Sequence, residues 1–291
     1  MLKYLLKAPE VTWTAVSPAP AKVENLKIKY LGTAGFILSD ANRTLVLDPF
    51  VSRPSLWQTF TQPLWSDPAL VKHYIPEADD VLIGHAHYDH ILDAPELCKQ
   101  TGARLIGSHA SMMYARSVGL PEQQMQVTQG REVIECGKWQ IIGLPSIHGK
   151  ALFGRVPLPG DMIEPPPYPP KFHQLRHGLV LNWWIDTGQL RVVHIDSADF
   201  IEQELQGKQA DIVCLCAIGR KYRPNYVKDV VRLLKPKYII PCHWDSMVTP
   251  IDAPPQLLPG VNIAEFLDEI KACGVIPLFM PILGELYFEQ K

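Results

Sequence analysis

No stretch of this sequence approaches the roughly 18 uninterrupted apolar residues that mark a membrane span. The first residues, MLKYLLKAPEVTW, meet Lys7, Pro9 and Glu10 too soon for a secretory signal. Residues 1–26 therefore read as an N-terminal extension. The chain also lacks any Lys/Arg run, and its formal net charge is −2. A constitutive nucleic-acid binder needs a basic face to displace counterions, so that class is disfavoured. None of the six cysteines forms a CxxC pair, and several lie within apolar strand-like runs such as Ile212-Val213-Cys214-Leu215-Cys216. Buried reduced thiols in a cytoplasmic protein explain them better than a disulfide framework. Cys242 precedes a histidine of interest, and a structural thiol is the favoured role there too.

What is present is a normal globular balance. Hydrophobic residues make up 47% and charged residues 20% of 291 positions, enough for a sizeable core in one α/β domain over 27–291. Short apolar runs at Leu26–Leu31, Gly35–Leu38 and Thr44–Leu47, parted by Gly, Asn and Asp, predict an antiparallel meander. Val81–Gly84 predicts a further strand; helix, strand and helix follow at Pro95–Thr101, Arg104–Ile106 and Ala110–Ser117. A second meander is expected over Val133–Leu144, Leu179–Ile185 and Leu190–Ile195. Alternation then resumes: helix Ile201–Gln206, strand Ile212–Cys216, helix Tyr226–Leu234, strand Tyr238–Cys242, helix Ile263–Ala272, strand Val275–Met280. Two such halves suggest two packed sheets with helices outside. A Pro-rich insertion at about 153–174 interrupts the second half, with seven prolines in Val156–Pro170. Proline fixes φ and removes amide donors, so a stiff irregular excursion is expected, serving as a wall or lid beside His148.

The chemistry is concentrated in Gly84-His85-Ala86-His87-Tyr88-Asp89-His90, where four metal-ligand side chains fall within six residues after an apolar run. Imidazole nitrogen and carboxylate oxygen suit zinc and related divalent ions. His148, Asp196 and His243 each stand at the exit of an apolar strand, where a scaffold displays polar groups without burying unpaired charge. The other five histidines, His73, His109, His173, His177 and His194, do not fit the pattern. His194 reads as a core-edge histidine, and His173 and His177 lie beside the Pro-rich excursion.

HAHYDH resembles the HxHxDH signature of the metallo-β-lactamase superfamily, and His148, Asp196 and His243 resemble its remaining ligand motifs. KIKYLGTAGFIL…TLVLDPF looks like its first strands, with Asp48 at the usual Asp position. ADIVCLCAIGRKYRPNYVKDVVRLLKPKYIIPCHWDSM resembles a lactonase-like branch that includes L-ascorbate phosphate lactonases and, more distantly, the N-acyl-phosphatidylethanolamine phospholipase D relatives. The resemblance covers residues 27–283. It implies a four-layer αββα sandwich with His85, His87 and His148 on one metal, Asp89, His90 and His243 on a second, and Asp196 bridging both. Asp48 and Ser197 would orient ligands. Where the superfamily usually has Gly before the bridging Asp and often Thr after it, this chain has Ile195 and Ser197. Where the branch often has Gly-Gly, it has Gly219-Arg220.

Two divalent ions, zinc foremost with manganese or iron as alternatives, set against two aspartates and one hydroxide leave a centre of about +1. That favours a small anionic or carbonyl-bearing substrate, a lactone or a phosphate ester or diester. The expected reaction is attack by a bridging hydroxide, with Asp89 and Asp196 catalytic and Asp89 or a water carrying the proton. Arg220, Lys150 and Tyr88 are candidates for substrate contacts, Arg220 sharing its loop with Lys221 and Arg223. Homo-oligomerisation is compatible with this reading. The rival readings are a mononuclear iron dioxygenase, a nuclease on the same fold, or a non-catalytic metal-binding module; His87, where flavodiiron relatives usually carry Glu, opposes a di-iron reductase. If the Pro-rich excursion is a wall or lid, deleting residues 156–170 should change KM and leave metal content intact; loss of metal on elemental analysis would count against that role.

Overall fold

Apolar residues at period two build one face of a strand, and in this chain they sort residues between two separate interiors. The computed structural model describes residues 25–289. β1 (Leu26–Gly32), β2 (Gly35–Ser39) and β3 (Thr44–Leu47) form the opening meander. Then come α1 (Leu56–Thr61), α2 (Pro68–Tyr74), β4 (Asp80–Leu82), α3 (Tyr88–Ile91), α4 (Ala94–Thr101), β5 (Arg104–Gly107), α5 (His109–Val118) and β6 (Met125–Val127). The second half holds β7 (Val133–Cys136), β8 (Trp139–Ser146), β9 (Val180–Asp186), β10 (Arg191–Ile195), α6 (Glu202–Leu205), β11 (Ile212–Cys216) and α7 (Tyr226–Leu234). It closes with β12 (Tyr238–Cys242), α8 (Ile263–Ala272), β13 (Ile276–Pro277) and β14 (Glu285–Phe288).

The strands make two seven-stranded sheets, ordered β14-β1-β2-β3-β4-β5-β6 and β13-β12-β11-β10-β9-β8-β7. Each begins as an antiparallel meander and continues as parallel strands, from β3 in the first sheet and β10 in the second. Ile28, Tyr30, Phe36, Leu38, Leu45 and Leu47 face the second sheet and share one core with Ile141, Leu144, Trp183 and Val193. Leu31, Ile37, Val46, Val81 and Leu105, offset by one residue, face Leu97, Met112 and their neighbours on the helices. On the far side, Val230 and Phe266 of α7 and α8 cover the second sheet. The αββα layering expected from the sequence is therefore present.

Several boundaries differ for local reasons. The strand expected over Val275–Met280 is reduced to Ile276–Pro277 at the sheet edge, where Pro277 sits between the Ile276 and Leu278 amides that donate to the Lys237 and Ile239 carbonyls. Phe279 and Met280 are buried in the core without lying in a strand, and the chain crosses to the first sheet as β14. α1 and α2 carry helix-start signals: Ser55 and Gln58 form a capping box, and Asp67 accepts from the amides of Ala69 and Leu70 ahead of Pro68. Between β8 and β9 the Pro-rich excursion has no strand, as expected, and ends in one 3₁₀ turn at Phe172–Gln174. Of the N-terminal extension, residues 1–24 lie outside the described residues, and Leu26 already belongs to β1. Five cysteines are buried, Cys273 is half-buried, and none of the six is in a disulfide. Among the described residues no helix is long and apolar enough to cross a membrane.

Candidate metal centre

Five strands stop just short of a ligand-type residue: β3 before Asp48, β4 before the Gly84–His90 loop, β8 before His148, β10 before Asp196 and β12 before His243. Since β3 and β4 run parallel, as do β8, β10 and β12 within their sheet, these side chains collect at one edge of the sandwich. All seven expected ligands meet there. Three groups have donor atoms within 4.8 Å of one another: His85, His87 and His148; His85, His90 and Asp196; and Asp89, His90 and His243. His85 Nε2 lies 3.0 Å from His87 Nδ1, and His85 Nδ1 lies 2.5 Å from Asp196 Oδ2. On the other side, His243 Nε2 is 3.2 Å and His90 Nε2 3.6 Å from Asp89 Oδ2. Asp196 Oδ2 is also 3.7 Å from His90 Nδ1, which puts this carboxylate between the outer groups.

The supports of the site are specific. Asp48 accepts from the Gly84 amide at 2.7 Å through Oδ1 and approaches His90 Nδ1 at 2.9 Å through Oδ2. It does so at φ +41°, a left-handed conformation that a non-glycine residue holds only where its surroundings over-determine it. Gly84 leaves the room: a Cβ there would stand 2.1 Å from Asp196 Oδ2. Ser197 Oγ accepts from the Gly149 amide at 2.9 Å and ties the His148 loop to the Asp196 loop. His243, at φ +53°, is anchored by its amide to the Thr33 carbonyl at 2.5 Å. Behind it Asp245 accepts from Tyr30 Oη and the Thr33 amide, each at 2.7 Å, and pairs with Arg53 at 2.9 Å, all four residues buried.

The protonation states suit cations. Burial, reinforced by the neighbouring imidazoles, holds His85 well below its ordinary value, His87 at about 3 and His148 at about 4, so their lone pairs are free at neutral pH. Burial also works against a charged His90, but Asp89, Asp48 and Asp196 outweigh it and raise this imidazole to about 9. Burial opposes ionisation of Asp89 too, yet His90 and His243 pull it below the carboxylate range. Asp196 is pushed well up by burial and by Asp48, and its Oδ1 is buried with no hydrogen-bond partner. An orphaned buried acceptor among neutral imidazoles is what a divalent cation satisfies, so the donor set fits a metal.

The proposed substrate contacts divide. Tyr88 lines the cleft above the cluster, buried, with its ring edge-on to Phe50. Arg220 is a correction: its guanidinium is buried away from the cleft, 3.1 Å from both Glu265 and Glu269 and over the Phe266 ring. Two carboxylates on α8 compete for it, and its side chain is committed to that helix. Lys150 is exposed and does not line the cleft, whereas its neighbours Gly149 and Ala151 do. Lys221 pairs with Glu265, and Arg223 pairs with Asp199 and Glu202. His194 is a buried core-edge residue whose Nε2 is 2.9 Å from the Ala34 carbonyl. His177 stacks beside His148, ring centroids 5.6 Å apart.

Sequence reasoning missed Arg155, Phe60 and the Tyr30–Asp245–Arg53 support. The first two line the cleft with Pro157, Leu158 and Phe172 of the Pro-rich excursion. Only Arg53, a cation within an apolar neighbourhood, carried any signal in the sequence.

A sequence profile described as the Beta-lactamase superfamily domain matches residues 27–243. The chain belongs to the metallo-β-lactamase superfamily. Its similarity extends to proteins named UPF0173 metal-dependent hydrolase: one from Pyrobaculum arsenaticum is 27% identical over 226 residues, covering 76% of this chain and 85% of that one. Among solved structures, Igni18, a metallo hydrolase from Ignicoccus hospitalis, aligns with TM-score 0.61 at 21% identity, covering 92% of this chain and all of the other. CmlA, a diiron β-hydroxylase from Streptomyces venezuelae, aligns with TM-score 0.56 at 13% identity over 93% of this chain and 55% of its own. At such identities the last two establish the shared fold.

Two outcomes follow for metal binding. Asp48→Asn, which keeps shape but loses the charge facing His90, should weaken metal affinity by about 10–100-fold in chelator competition; unchanged affinity would remove Asp48 from this role. The pH dependence of the two outer groups should also differ. Because His87 and His148 are already neutral above about 4, binding at the His85–His87–His148 group should depend on pH only through Asp196, which both groups share. His90, raised to about 9, must shed a proton, so affinity at the Asp89–His90–His243 group should fall by up to about tenfold per pH unit below that value. Stepwise calorimetric titration of metal into stripped protein checks this, and a parallel pH response of both steps would refute it.

Proposed function

We propose that this protein is a binuclear metal-dependent hydrolase acting on a carbonyl or phosphoryl centre of a small, anionic substrate. The observation that carries the reading is the buried Asp196 carboxylate lying between two groups of donors, with one oxygen unpaired. His85, His87 and His148 would hold one ion, Asp89, His90 and His243 the other, and Asp196 both. When bound, two divalent ions, zinc foremost, would supply an activated hydroxide and polarise the oxygen of the bond under attack. The relatives' printed name, metal-dependent hydrolase, supports the same class.

The chain's own side chains do the remaining work. Asp89, a carboxylate among the donors, would take a proton and return it to the leaving group, as a water could instead. Asp48 fixes the ring of His90, and Ser197 fixes the backbone after His148, so the donors keep their geometry as charge shifts. Tyr88, Ile218, Met247 and Leu258 line the cleft over the donors and would limit the water around the reacting centre once substrate fills it.

Metal quantification on purified protein should find two ions per chain, and panels of lactones, phosphodiesters and phosphate monoesters should reveal turnover. His85→Ala and Asp196→Ala should each lower kcat/KM by at least about 10³-fold, the scale of losing a principal electrostatic stabiliser. Metal-replete variants with full activity would sink the mechanism. One iron per chain with oxygen uptake would favour an oxygenase instead.

A further inference from the structure

The cleft above the donors is about 350 Å³, and its wall residues are chemically one-sided. Phe60, Leu158, Phe172, Ile218, Met247 and Leu258 contribute apolar surface. Phe60 of α1 meets Phe172 of the excursion edge-on, with ring centroids 5.0 Å apart. The two segments are also joined by the Leu64 amide donating to the Pro170 carbonyl at 2.6 Å. Away from the ligand-type residues, polar side-chain atoms among the described lining residues come from Thr59, Tyr88, Ser197, Arg155 and the Cys216 thiol, which already donates to the Ile218 carbonyl. Ser197 is already engaged by the Gly149 amide. A polyhydroxylated substrate such as a sugar needs many more hydrogen-bond partners than this wall offers.

Arg155 is the one Lys or Arg lining the cleft, and among the described residues it has no ion-pair partner. Arg220, Lys221 and Arg223 are paired with carboxylates elsewhere, and Lys150 is exposed outside the cleft. The chain folds back at this point, the Ala151 amide donating to the Arg155 carbonyl at 2.9 Å, which places Arg155 on the same wall as Pro157 and Leu158. An exposed, unpaired guanidinium beside an apolar slot suits a molecule with both characters.

We infer that the cleft takes an amphiphile: a chain or ring lies against the Phe60–Phe172 pair and Leu158, and an anionic group pairs with Arg155. This rests on the hydrolase reading for the bond that is broken, and it adds the class of molecule that carries that bond. At about 30 Å³ per non-hydrogen atom, the space holds roughly a dozen such atoms. Binding should strengthen with chain length and then level off once the chain fills the slot.

Alkanesulfonates bind metals weakly and are the probe. Calorimetry with butane-, hexane-, octane- and dodecanesulfonate, on metal-loaded wild type and on His85→Ala, should show affinity rising about tenfold for each added pair of methylenes up to octane. It should show little further gain at dodecane. Arg155→Gln should weaken every sulfonate about tenfold and leave octanol binding unchanged. Phe60→Ala, at a position 62% exposed and so tolerant of truncation, should flatten the chain-length dependence. Affinity independent of chain length would overturn the inference, as would equal effects of Arg155→Gln on sulfonate and alkanol. Chain-dependent sulfonate binding without turnover on any ester or lactone would uphold the cleft assignment and sink the hydrolase reading. Turnover of short esters with no chain dependence in either assay would do the reverse.

Discussion

One oxygen atom, Asp196 Oδ1, is enclosed by protein and accepts no hydrogen bond. Burying an unpaired carboxylate oxygen is costly, and a cation held by the neighbouring donors would offset that cost. Much of the surrounding architecture follows from that need. Gly84 has no side chain because Asp196 occupies the space, and the Gly84 amide is in turn held by Asp48. Asp48 adopts a left-handed backbone to reach both that amide and His90. The neutral imidazoles on one flank and the ionised Asp89 on the other leave the centre poised for positive charge.

Holding such a centre rigid falls to the sandwich itself. Repeating a meander and a parallel run in both sheets brings strand exits from each half to the same edge, so donors far apart in sequence become neighbours. The loop bearing His243 belongs to the second sheet, yet it is clamped to the first by the Thr33 carbonyl and by Asp245, which reaches Tyr30, Thr33 and Arg53. This buried pairing spans the two layers at the active edge. Its effect is on register: it keeps one sheet from sliding on the other where sub-ångström placement matters for metal ligation.

The layered fold and the meeting of the donors were legible because both are written in local pattern. Period-two apolar runs located nearly every strand, and His85 to His90 announced themselves by density of ligand-type residues. The strand near Val275 was over-read because core burial without a ladder looks the same in sequence as a strand. Arg220 was misplaced for a related reason. A cation after a strand points equally well to a ligand or to a carboxylate, and Glu265 and Glu269 lie 45 and 49 residues further along the chain. Arg155 and Phe60 escaped notice because cleft walls have no periodicity; they are assembled from loops whose relative positions only the folded chain defines.

The Pro-rich excursion supplies Arg155, Pro157, Leu158 and Phe172 to the cleft, and none of the grouped metal donors comes from it. Its stiffness derives from proline rings rather than from a ladder shared with either sheet. On the amphiphile reading, much of the selectivity would sit on a stretch of polypeptide apart from the metal donors. Rewriting this one connection between β8 and β9 offers an evolving lineage a route to new diets of substrate without disturbing the machinery that cuts them.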